Sequence, residues 1–174
     1  MKTPILKTDR LILRPFRADD LEAVFHGWET DPDVARYMMW ESHDDISKTK
    51  NFIKMELQRI DSDDWYRWAI VIKETNLLIG TCLIYYKHET DSFEVAYNLG
   101  KKHWGQGYTT EAMNEAIKFA KDFLGIKELL GGCAKVNAAS EKVMKKLGFT
   151  YVKDCPYDCG EEMQLEGVIY RLQL

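Results

Sequence analysis

Hydrophobic residues occur along the chain in short runs that are bounded by polar or turn-forming residues. Runs of this length, rich in branched and aromatic side chains, are typical of β-strands. The first run is closed by a proline, and the second and third are joined by a short polar turn that favours a hairpin. The runs cover residues 11–16, 68–72, 77–86, 93–99, 129–134, 149–152 and 168–172.

Four other segments carry apolar residues at the three- and four-residue spacing of an amphipathic helix. The first follows Asp19 and Asp20 and is expected to end at Pro32, and the second opens at Asp44 and Asp45. Acidic residues in a first turn favour a helix start. The third covers residues 112–123 and the fourth 138–147, each followed by a glycine that stops a helix.

The elements follow the order strand, two helices, three strands, helix, strand, helix and two strands. This order predicts an α+β fold of the α/β-sandwich type, built around a mixed central sheet. We find no internal repeat, low-complexity tract or linker in the sequence. A single domain over residues 1–174 is therefore expected.

Charge and composition exclude several classes of protein. Lys plus Arg number 24 and Asp plus Glu 28, so the net charge of 24 − 28 = −4 argues against a dedicated nucleic-acid binder. The sequence has no uninterrupted apolar run of about 20 residues that would span a bilayer. The first ten residues also lack the apolar core of a secretion signal, so we expect no membrane partner and a cytoplasmic location.

The four cysteines do not predict a disulfide framework in a chain of this length. Cys155 and Cys159 are four positions apart, but a metal site needs further ligands at known spacings and no His pair accompanies them. We therefore expect free thiols and no metal. Cys133 is not expected to carry an acyl group, because nothing near it in sequence supplies an activating base.

The most informative segment is Trp104–Tyr108, between the strand at 93–99 and the long third helix. A helix start exposes backbone N–H groups and the positive end of the helix dipole, which suits an anion. Gly105 and Gly107 remove the side chains that would keep a phosphate from those groups. Lys101 and Lys102 add positive charge nearby. A tight turn without a ligand is the open alternative.

Two well-known phosphate motifs do not fit this segment. The spacing from Gly100 to Gly105 is that of a nucleotide P-loop, but Gln106 and Gly107 stand where Lys and Ser or Thr are required. A dinucleotide fingerprint needs a third glycine where the chain has Thr110. It also needs an acidic residue at the end of a second strand, but that position falls at the end of a helix.

Residues 102–107, Lys-His-Trp-Gly-Gln-Gly, resemble the acetyl-CoA pyrophosphate loop of the GNAT superfamily, usually Gln/Arg-x-x-Gly-x-Gly/Ala. Lys102 departs from the usual first residue. With three other segments, this loop makes the chain similar to the ribosomal-protein N-terminal acetyltransferases and their relatives. The resemblance covers nearly the whole chain in the right order. The four segments are Thr8–Pro15, Trp104–Ala112, Asn137–Ser140 and Lys146–Phe149.

The resemblance implies a mostly antiparallel sheet of about seven strands, splayed between strands four and five and flanked by about four helices. It implies acetyl-CoA as the cosubstrate, with the pantetheine arm in the gap beside a β-bulge. The residues implied to bind acetyl-CoA are Tyr97, Asn98, Leu99, Trp104, Gly105, Gln106, Gly107, Tyr108, Thr109, Thr110 and Asn137. For Asn137 alone, a helix cap is the other reading.

Two residues are candidates for proton transfer. Glu94 lies on the strand expected beside the thioester, where a partly desolvated carboxylate would accept the proton of the amine, directly or through water. A solvent-facing strand glutamate is the alternative. Many GNAT enzymes use a tyrosine as the acid, but Met144 stands at that position here. Ser140 matches a serine implied to replace it, with helix capping or first-turn packing as the alternative.

The acceptor is expected between the first two helices and the loop before the last strand. Met39 and Trp40, with their neighbours Tyr37 and Met38, form an apolar patch that would cover an amine-bearing substrate, although such patches are usually core. Asp158, Glu161 and Glu162 would attract a cationic acceptor, with a solvated loop as the alternative.

These features together predict an acetyl-CoA-dependent N-acetyltransferase that transfers directly to a primary amine within a ternary complex. The N-terminal amine of a protein or peptide is the first candidate acceptor. A polyamine, an aminoglycoside-like amine or an amino acid is a rival acceptor, and a CoA-binding module without turnover is a rival function. Either a monomer or a homodimer is compatible with the sequence.

Overall fold

The computed structural model describes residues 2–160 and 163–174. Over those residues the chain forms eight strands and five α-helices, with single helical turns at Ala18–Asp20, Phe25–Glu29 and Lys101–His103. The strands are β1 (Leu6–Lys7), β2 (Leu11–Arg14), β3 (Trp65–Ile72), β4 (Leu77–Lys87), β5 (Ser92–Leu99), β6 (Glu128–Ala134), β7 (Thr150–Cys159) and β8 (Met163–Gln173). The helices are α1 (Leu21–Val24), α2 (Pro32–Ala35), α3 (Ile46–Arg59), α4 (Tyr108–Asp122) and α5 (Ala138–Lys146).

The strands form one mixed sheet in the order β1-β2-β3-β4-β5-β6-β8-β7. Only β5 and β6 are parallel neighbours. β4 and β5 pair along the whole length of β5, whereas β5 and β6 pair only at Glu94 with Leu130 and at Val95 with Gly131. The sheet is therefore splayed at the predicted place. The strand count is eight rather than seven because the two-residue strand β1 has no hydrophobic pattern of its own.

The β-bulge expected beside Tyr97 is not on β5, whose register with β4 is continuous. The irregularity lies one strand away, where β4 gains one residue between Leu78 and Gly80 relative to β3. The carbonyl of Ile79 at this point accepts a hydrogen bond from Gly100 N (2.9 Å). The bulge thus fixes the chain just after β5, where the glycine-containing loop begins.

A hydrophobic cluster covers each face of the sheet. α4 and α5 pack on one face over buried residues that include Trp68, Met113, Phe119 and Met144. On the opposite face, α3 and the helical segments before it pack over a smaller cluster that includes Phe16, Trp28 and Ile53. The two clusters hold the sheet between helical layers, as the predicted sandwich requires.

Two segments differ from the sequence prediction. Pro32 does not only end the first helical segment but occupies the first turn of α2, where a missing N–H costs nothing. The last two strands extend far beyond 149–152 and 168–172. β7 is an edge strand, so it tolerates Pro156 and exposed charged residues that hide the strand pattern.

Within the described ranges, the chain has no helix with the length and apolar character needed to cross a bilayer.

Candidate functional site

The loop between β5 and α4 takes its shape from two glycines. Gly105 has φ +74° and Gly107 has φ +82°, in the left-handed region that other residues adopt at a cost. Gly107 precedes the first residue of α4 and makes no side-chain cap. The first N–H groups of α4 therefore have no partner within the helix. They form a group of donors at the positive end of the helix dipole.

These donors face a cavity of about 660 Å³ at the splay between β5 and β6. Its wall includes the start of α4, the end of β5, and the beginning of α5. All of the residues predicted to bind the cofactor line this cavity except Gln106: Tyr97, Asn98, Leu99, Trp104, Gly105, Gly107, Tyr108, Thr109, Thr110 and Asn137. Segments separated by up to about 40 positions in the sequence thus line one cavity.

Gln106 does not line the cavity, and its hydrogen bonds hold the loop together. Its side-chain Nε2 donates to the carbonyl of Lys102 (3.0 Å), and its own carbonyl accepts from Arg10 Nη1 (3.1 Å). Trp104 holds the other end of the loop, because its indole N–H donates to the carbonyl of Leu99 (2.8 Å). The loop conformation is therefore held by hydrogen bonds from Gln106, Trp104 and Arg10.

The basic residues before the loop differ in how much positive charge they offer to the site. Lys101 forms a salt bridge with Asp33, so its charge is already paired. His103 lines the cavity, and burial, followed by the charge of Lys102, lowers its pKa. The positive character of the site thus comes from the backbone donors of α4 and from Lys142 and Lys146, which line the cavity.

Asn98 provides an unused donor on the cavity wall. Its Nδ2 is buried and has no hydrogen-bond partner among the described residues. Buried donors are nearly always satisfied in folded proteins, and those that are not often mark a ligand position. The end of β5 thus offers a side-chain donor at the splay, as well as the backbone groups that the sequence predicted.

Tyr97 and Ser140 meet across the splay. The Tyr97 hydroxyl lies 3.0 Å from Ser140 Oγ and 3.2 Å from the Ser140 carbonyl oxygen. Burial raises the pKa of Tyr97, against the hydrogen bond with Ser140, which lowers it. Both residues line the cavity. The predicted proton donor Ser140 is thus held by a second hydroxyl that the sequence did not assign to it.

Asn137 caps α5, because its Oδ1 accepts from Ser140 N (3.1 Å). The residue also lines the cavity, so capping and a place in the site occur together.

Cys133, buried nearby, is not an activated nucleophile. Burial raises the pKa of its thiol, and a hydrogen bond with Ser140 only partly opposes this.

Met144, at the position of the tyrosine that the resemblance implied, is almost fully buried. Its thioether packs over Gly131, where even a Cβ would overlap it. The Met144 side chain therefore fills the sheet-facing space with apolar atoms and offers no acid.

Glu94 lies next to the cavity without lining it. Ala96 and Asn98, which share its face of β5, do line the cavity. The Glu94 carboxylate accepts from the Tyr85 hydroxyl (2.9 Å) and lies 3.4 Å from Lys87 Nζ. Its side chain is 12% exposed. The Glu94 carboxylate is thus hydrogen-bonded and largely buried where β5 and β6 separate, and it does not face solvent.

The apolar patch predicted for the acceptor is divided by the structure. Tyr37 and Met38 line the cavity. Met39 is 74% exposed, and Trp40 packs against the smaller hydrophobic cluster. The carbonyl of Tyr37 accepts from the Tyr157 hydroxyl (2.9 Å), which joins this segment to β7 at the cavity wall.

Among the acidic residues predicted to attract a cationic acceptor, Asp158 does not line the cavity. Asp158 accepts from Gln164 Nε2 (3.0 Å) on the neighbouring strand. Glu161 and Glu162 lie outside the described residues. No group of three or more His, Cys, Asp or Glu side chains within 2–160 and 163–174 is arranged to hold a metal ion.

An uncapped, glycine-flanked helix start beside a splayed mixed sheet is the arrangement that the GNAT resemblance implied. The sequence model of the acetyltransferase (GNAT) domain matches residues 10–150. The chain belongs to this family of acetyltransferases. The chain is 30% identical over 145 residues to the uncharacterized N-acetyltransferase p20 of Bacillus licheniformis, covering 83% of this chain and 81% of that protein.

Solved structures have the same fold at lower identity. The ribosomal-protein-S5-alanine acetyltransferase of Vibrio fischeri superimposes with a TM-score of 0.81 at 16% identity, over 98% of this chain and 96% of its own. The microcin C7 self-immunity acetyltransferase MccE, crystallised with acetyl-CoA and AMP, gives a TM-score of 0.83 at 20% identity, over 95% and 93%. These similarities establish the GNAT fold.

Proposed function

We propose that this protein transfers the acetyl group of acetyl-CoA to a primary amine, and that its acceptor is the N-terminal amine of a protein or peptide. The observation that carries the proposal is the open start of α4. Its free N–H groups, bared by Gly105 and Gly107, face the same cavity as Tyr97 and Ser140. A diphosphate site and a pair of hydroxyls are thus brought into one space.

The residues present fit acetyl-CoA. The start of α4 would hold the diphosphate, since unpaired backbone donors and the helix dipole favour an anion there. Asn98 Nδ2, buried without a partner, suits one of the amide carbonyls of the pantetheine arm. MccE, which shares the fold, was crystallised with acetyl-CoA. When bound, acetyl-CoA supplies an electrophilic thioester carbonyl and a thiolate leaving group.

The residues of the chain must then manage two protons: the one that the acceptor nitrogen loses and the one that the sulfur gains. We assign the proton lost by the nitrogen to Glu94. Its carboxylate is hydrogen-bonded to the Tyr85 hydroxyl, and the next residue on the same face of β5, Ala96, lines the cavity. The proton reaches Glu94 through water, because its side chain does not line the cavity itself.

We assign the second proton to Ser140. The Tyr97 hydroxyl lies within hydrogen-bonding distance of both the Ser140 carbonyl oxygen and Ser140 Oγ, and either hydroxyl can be the donor between them. When Tyr97 donates to Ser140 Oγ, the proton of the Ser140 hydroxyl is available for the sulfur. Met144 cannot supply a proton. Two hydroxyls from β5 and α5 thus replace the single tyrosine that many relatives use.

We favour an N-terminal amine as the acceptor because it needs little deprotonation by the catalytic base. An N-terminal amine has a pKa of about 7.7–8.0, so roughly a tenth of it is neutral near pH 7, whereas lysine at about 10.4 is almost wholly charged. Positioning in the cavity then provides much of the acceleration. The resemblance to ribosomal-protein acetyltransferases favours the same acceptor. Tyr37 and Met38 offer an apolar wall for its first side chain.

The test is CoA release, measured with a thiol reagent over a panel of N-terminal peptides, polyamines, aminoglycosides and free amino acids. We expect turnover with peptides whose α-amine is free, and none when that amine is blocked. Turnover confined to a small amine would assign that acceptor instead. CoA binding without turnover for any amine would make the protein a CoA-binding module.

A further inference from the structure

The segment Thr8–Arg10 precedes β2 and is about 100 positions from α4 in sequence, yet it contacts the glycine-containing loop. Arg10 Nε donates to Glu111 Oε2 (2.6 Å), and Arg10 N donates to Glu111 Oε1 (2.9 Å). The Thr8 hydroxyl donates to the same oxygen (2.5 Å). Glu111 lies in the first turn of α4, so these bonds join the N-terminal segment to that helix start.

Arg10 also contacts the loop itself. Its Nη1 donates to the carbonyl of Gln106 (3.1 Å), and its guanidinium lies 4.4 Å from the centre of the Tyr108 ring. A Cβ on Gly107 would lie 3.5 Å from Arg10 Nη2. One guanidinium thus bridges the loop, the helix start and the carboxylate of Glu111.

The bond to Gln106 has a geometric consequence for the donor group. The carbonyl of Gln106 and the N–H of Gly107 belong to one planar trans peptide and point in opposite directions. Because Arg10 holds the carbonyl, the Gly107 N–H is directed away from Arg10. Arg10 therefore fixes the orientation of the donor that opens the helix start.

The bonds to Glu111 have an electrostatic consequence. An acidic side chain in a first turn stabilises a helix, but it would repel an anion bound at the same end. Burial would raise the pKa of Glu111, yet the hydrogen bonds from Thr8 and Arg10 more than offset this, and the pKa is lowered. The ionised carboxylate is thus kept paired with Arg10.

We infer that Arg10 and Glu111 are positioning residues for the diphosphate site: Arg10 orients the loop amide at Gly107 and neutralises Glu111, so that the start of α4 accepts an anion. This inference rests on the proposed function, because it assumes that the start of α4 holds the diphosphate of CoA. It predicts that loss of Arg10 weakens the binding of ligands that carry the diphosphate and leaves the binding of ligands without it unchanged.

The experiment compares two ligands on one set of variants. CoA affinity is measured by titration calorimetry, and S-acetylpantetheine, which has the thioester arm without a diphosphate, is titrated by ligand-observed NMR. The variants are Arg10→Ala, Arg10→Lys and the double variant Arg10→Ala with Glu111→Gln. Arg171→Ala is the matched control, because Arg171 is similarly exposed and pairs with Glu128 on β6, away from the loop.

We expect the Kd for CoA to rise about ten-fold in Arg10→Ala, the usual effect of losing a charge-assisted hydrogen bond. The Kd for S-acetylpantetheine should stay within about two-fold. The double variant should bind CoA more tightly than Arg10→Ala, because its unpaired carboxylate is gone. Arg171→Ala should change neither affinity. If Arg10→Ala fails to fold, Arg10→Lys carries the test, with an expected loss for CoA of about three-fold.

Hydrogen exchange of the ligand-free protein gives an independent readout. Arg10→Ala should speed exchange of the hydrogen-bonded amides on either side of the loop, those of Trp104 and Glu111, and leave those of β6 unchanged. If Arg10→Ala weakens the binding of both ligands equally, or leaves the CoA affinity unchanged, the role of Arg10 is wrong while the proposed function stands. Failure of the unmodified protein to bind CoA would overturn the proposed function, and the inference with it.

Discussion

The hydroxyl of Tyr97 lies 3.0 Å from the hydroxyl of Ser140, 43 positions away in the sequence. This contact joins β5 to α5 across the gap where β5 and β6 no longer pair. Ser140 is the proton donor proposed from the sequence, and the structure adds the hydroxyl of Tyr97 beside it. In the proposed mechanism, these two hydroxyls take the place of a tyrosine at position 144.

The hydroxyl pair predicts two graded losses of activity. Ser140→Ala should lower kcat by about a hundred-fold, the lower end of the usual contribution of a general acid. Tyr97→Phe should lower kcat by about ten-fold, because Ser140 then loses one hydrogen bond but keeps its proton. The double variant should be no slower than Ser140→Ala.

Steady-state kinetics with saturating acetyl-CoA measure these effects. Tyr151→Phe serves as the control, since that exposed hydroxyl bonds only to Asp154 among the contacts described. An unchanged kcat in Tyr97→Phe would contradict the assignment, and so would losses in the double variant that simply multiply.

Glu94→Gln should lower kcat at pH 7 by about a hundred-fold if the carboxylate accepts the proton of the amine. The loss should shrink towards pH 9, because an N-terminal amine with a pKa of about 8 is then already neutral. Pre-steady-state or steady-state rates from pH 6.5 to 9.5 measure the trend. Glu89→Gln, an exposed neighbour, is the control. A loss that stays constant over this range would remove Glu94 from the role of base.

The raised pKa of Glu29 predicts that the free energy of unfolding depends on pH. Burial raises its pKa from 4.5 to about 7, against a hydrogen bond from Trp28 and the charge of Arg67, both of which lower it. A carboxyl with a higher pKa in the folded state binds its proton more tightly there than in the unfolded chain. Its stabilising contribution is therefore complete below about pH 4.5, and the free energy of unfolding falls as the pH rises to about 7.

Glu29→Gln should remove this dependence while keeping an oxygen that accepts from Trp28 Nε1. Relative to the unmodified protein, the variant should gain stability between pH 5 and pH 8, by an amount that approaches about 3 kcal/mol. Urea unfolding at several pH values measures the difference. Glu22→Gln, whose side chain is exposed, should show no such trend. A difference independent of pH would contradict the raised pKa.

The sequence was sufficient for the features that depend on local chemistry. Gly105 and Gly107 were expected to open a helix start, and both have positive φ just before α4. The splay of the sheet was expected from the family resemblance and is confirmed. The cap of α3 by Asp45 likewise follows from a local signal and is present, with its Oδ1 accepting from Ser47 N (2.7 Å).

Features that depend on distant contacts could not be predicted. The bond from Arg10 to Glu111 joins residues 101 positions apart, and no local pattern assigned Arg10 a role beyond its place in a motif. The alternation of β5 did not show whether Glu94 faces the cavity. The length of β7 was missed because an edge strand with Pro156 lacks an apolar pattern.

We propose that backbone donors at the start of α4, bared by glycine, bind the diphosphate of acetyl-CoA. Gly107→Glu would place a bulky anion among those donors. Gly125→Glu is its matched control, because Gly125 also has a positive φ but lies after α4. Both substitutions should cost stability by a similar amount, about 1–2 kcal/mol, because each strains the backbone in the same way.

Titration calorimetry of acetyl-CoA into the unmodified protein and these two variants measures whether the donors bind the diphosphate. We predict one site per chain in the unmodified protein and in Gly125→Glu, and no measurable heat of binding in Gly107→Glu. Undiminished affinity in Gly107→Glu, or no binding by the unmodified protein, would contradict the account.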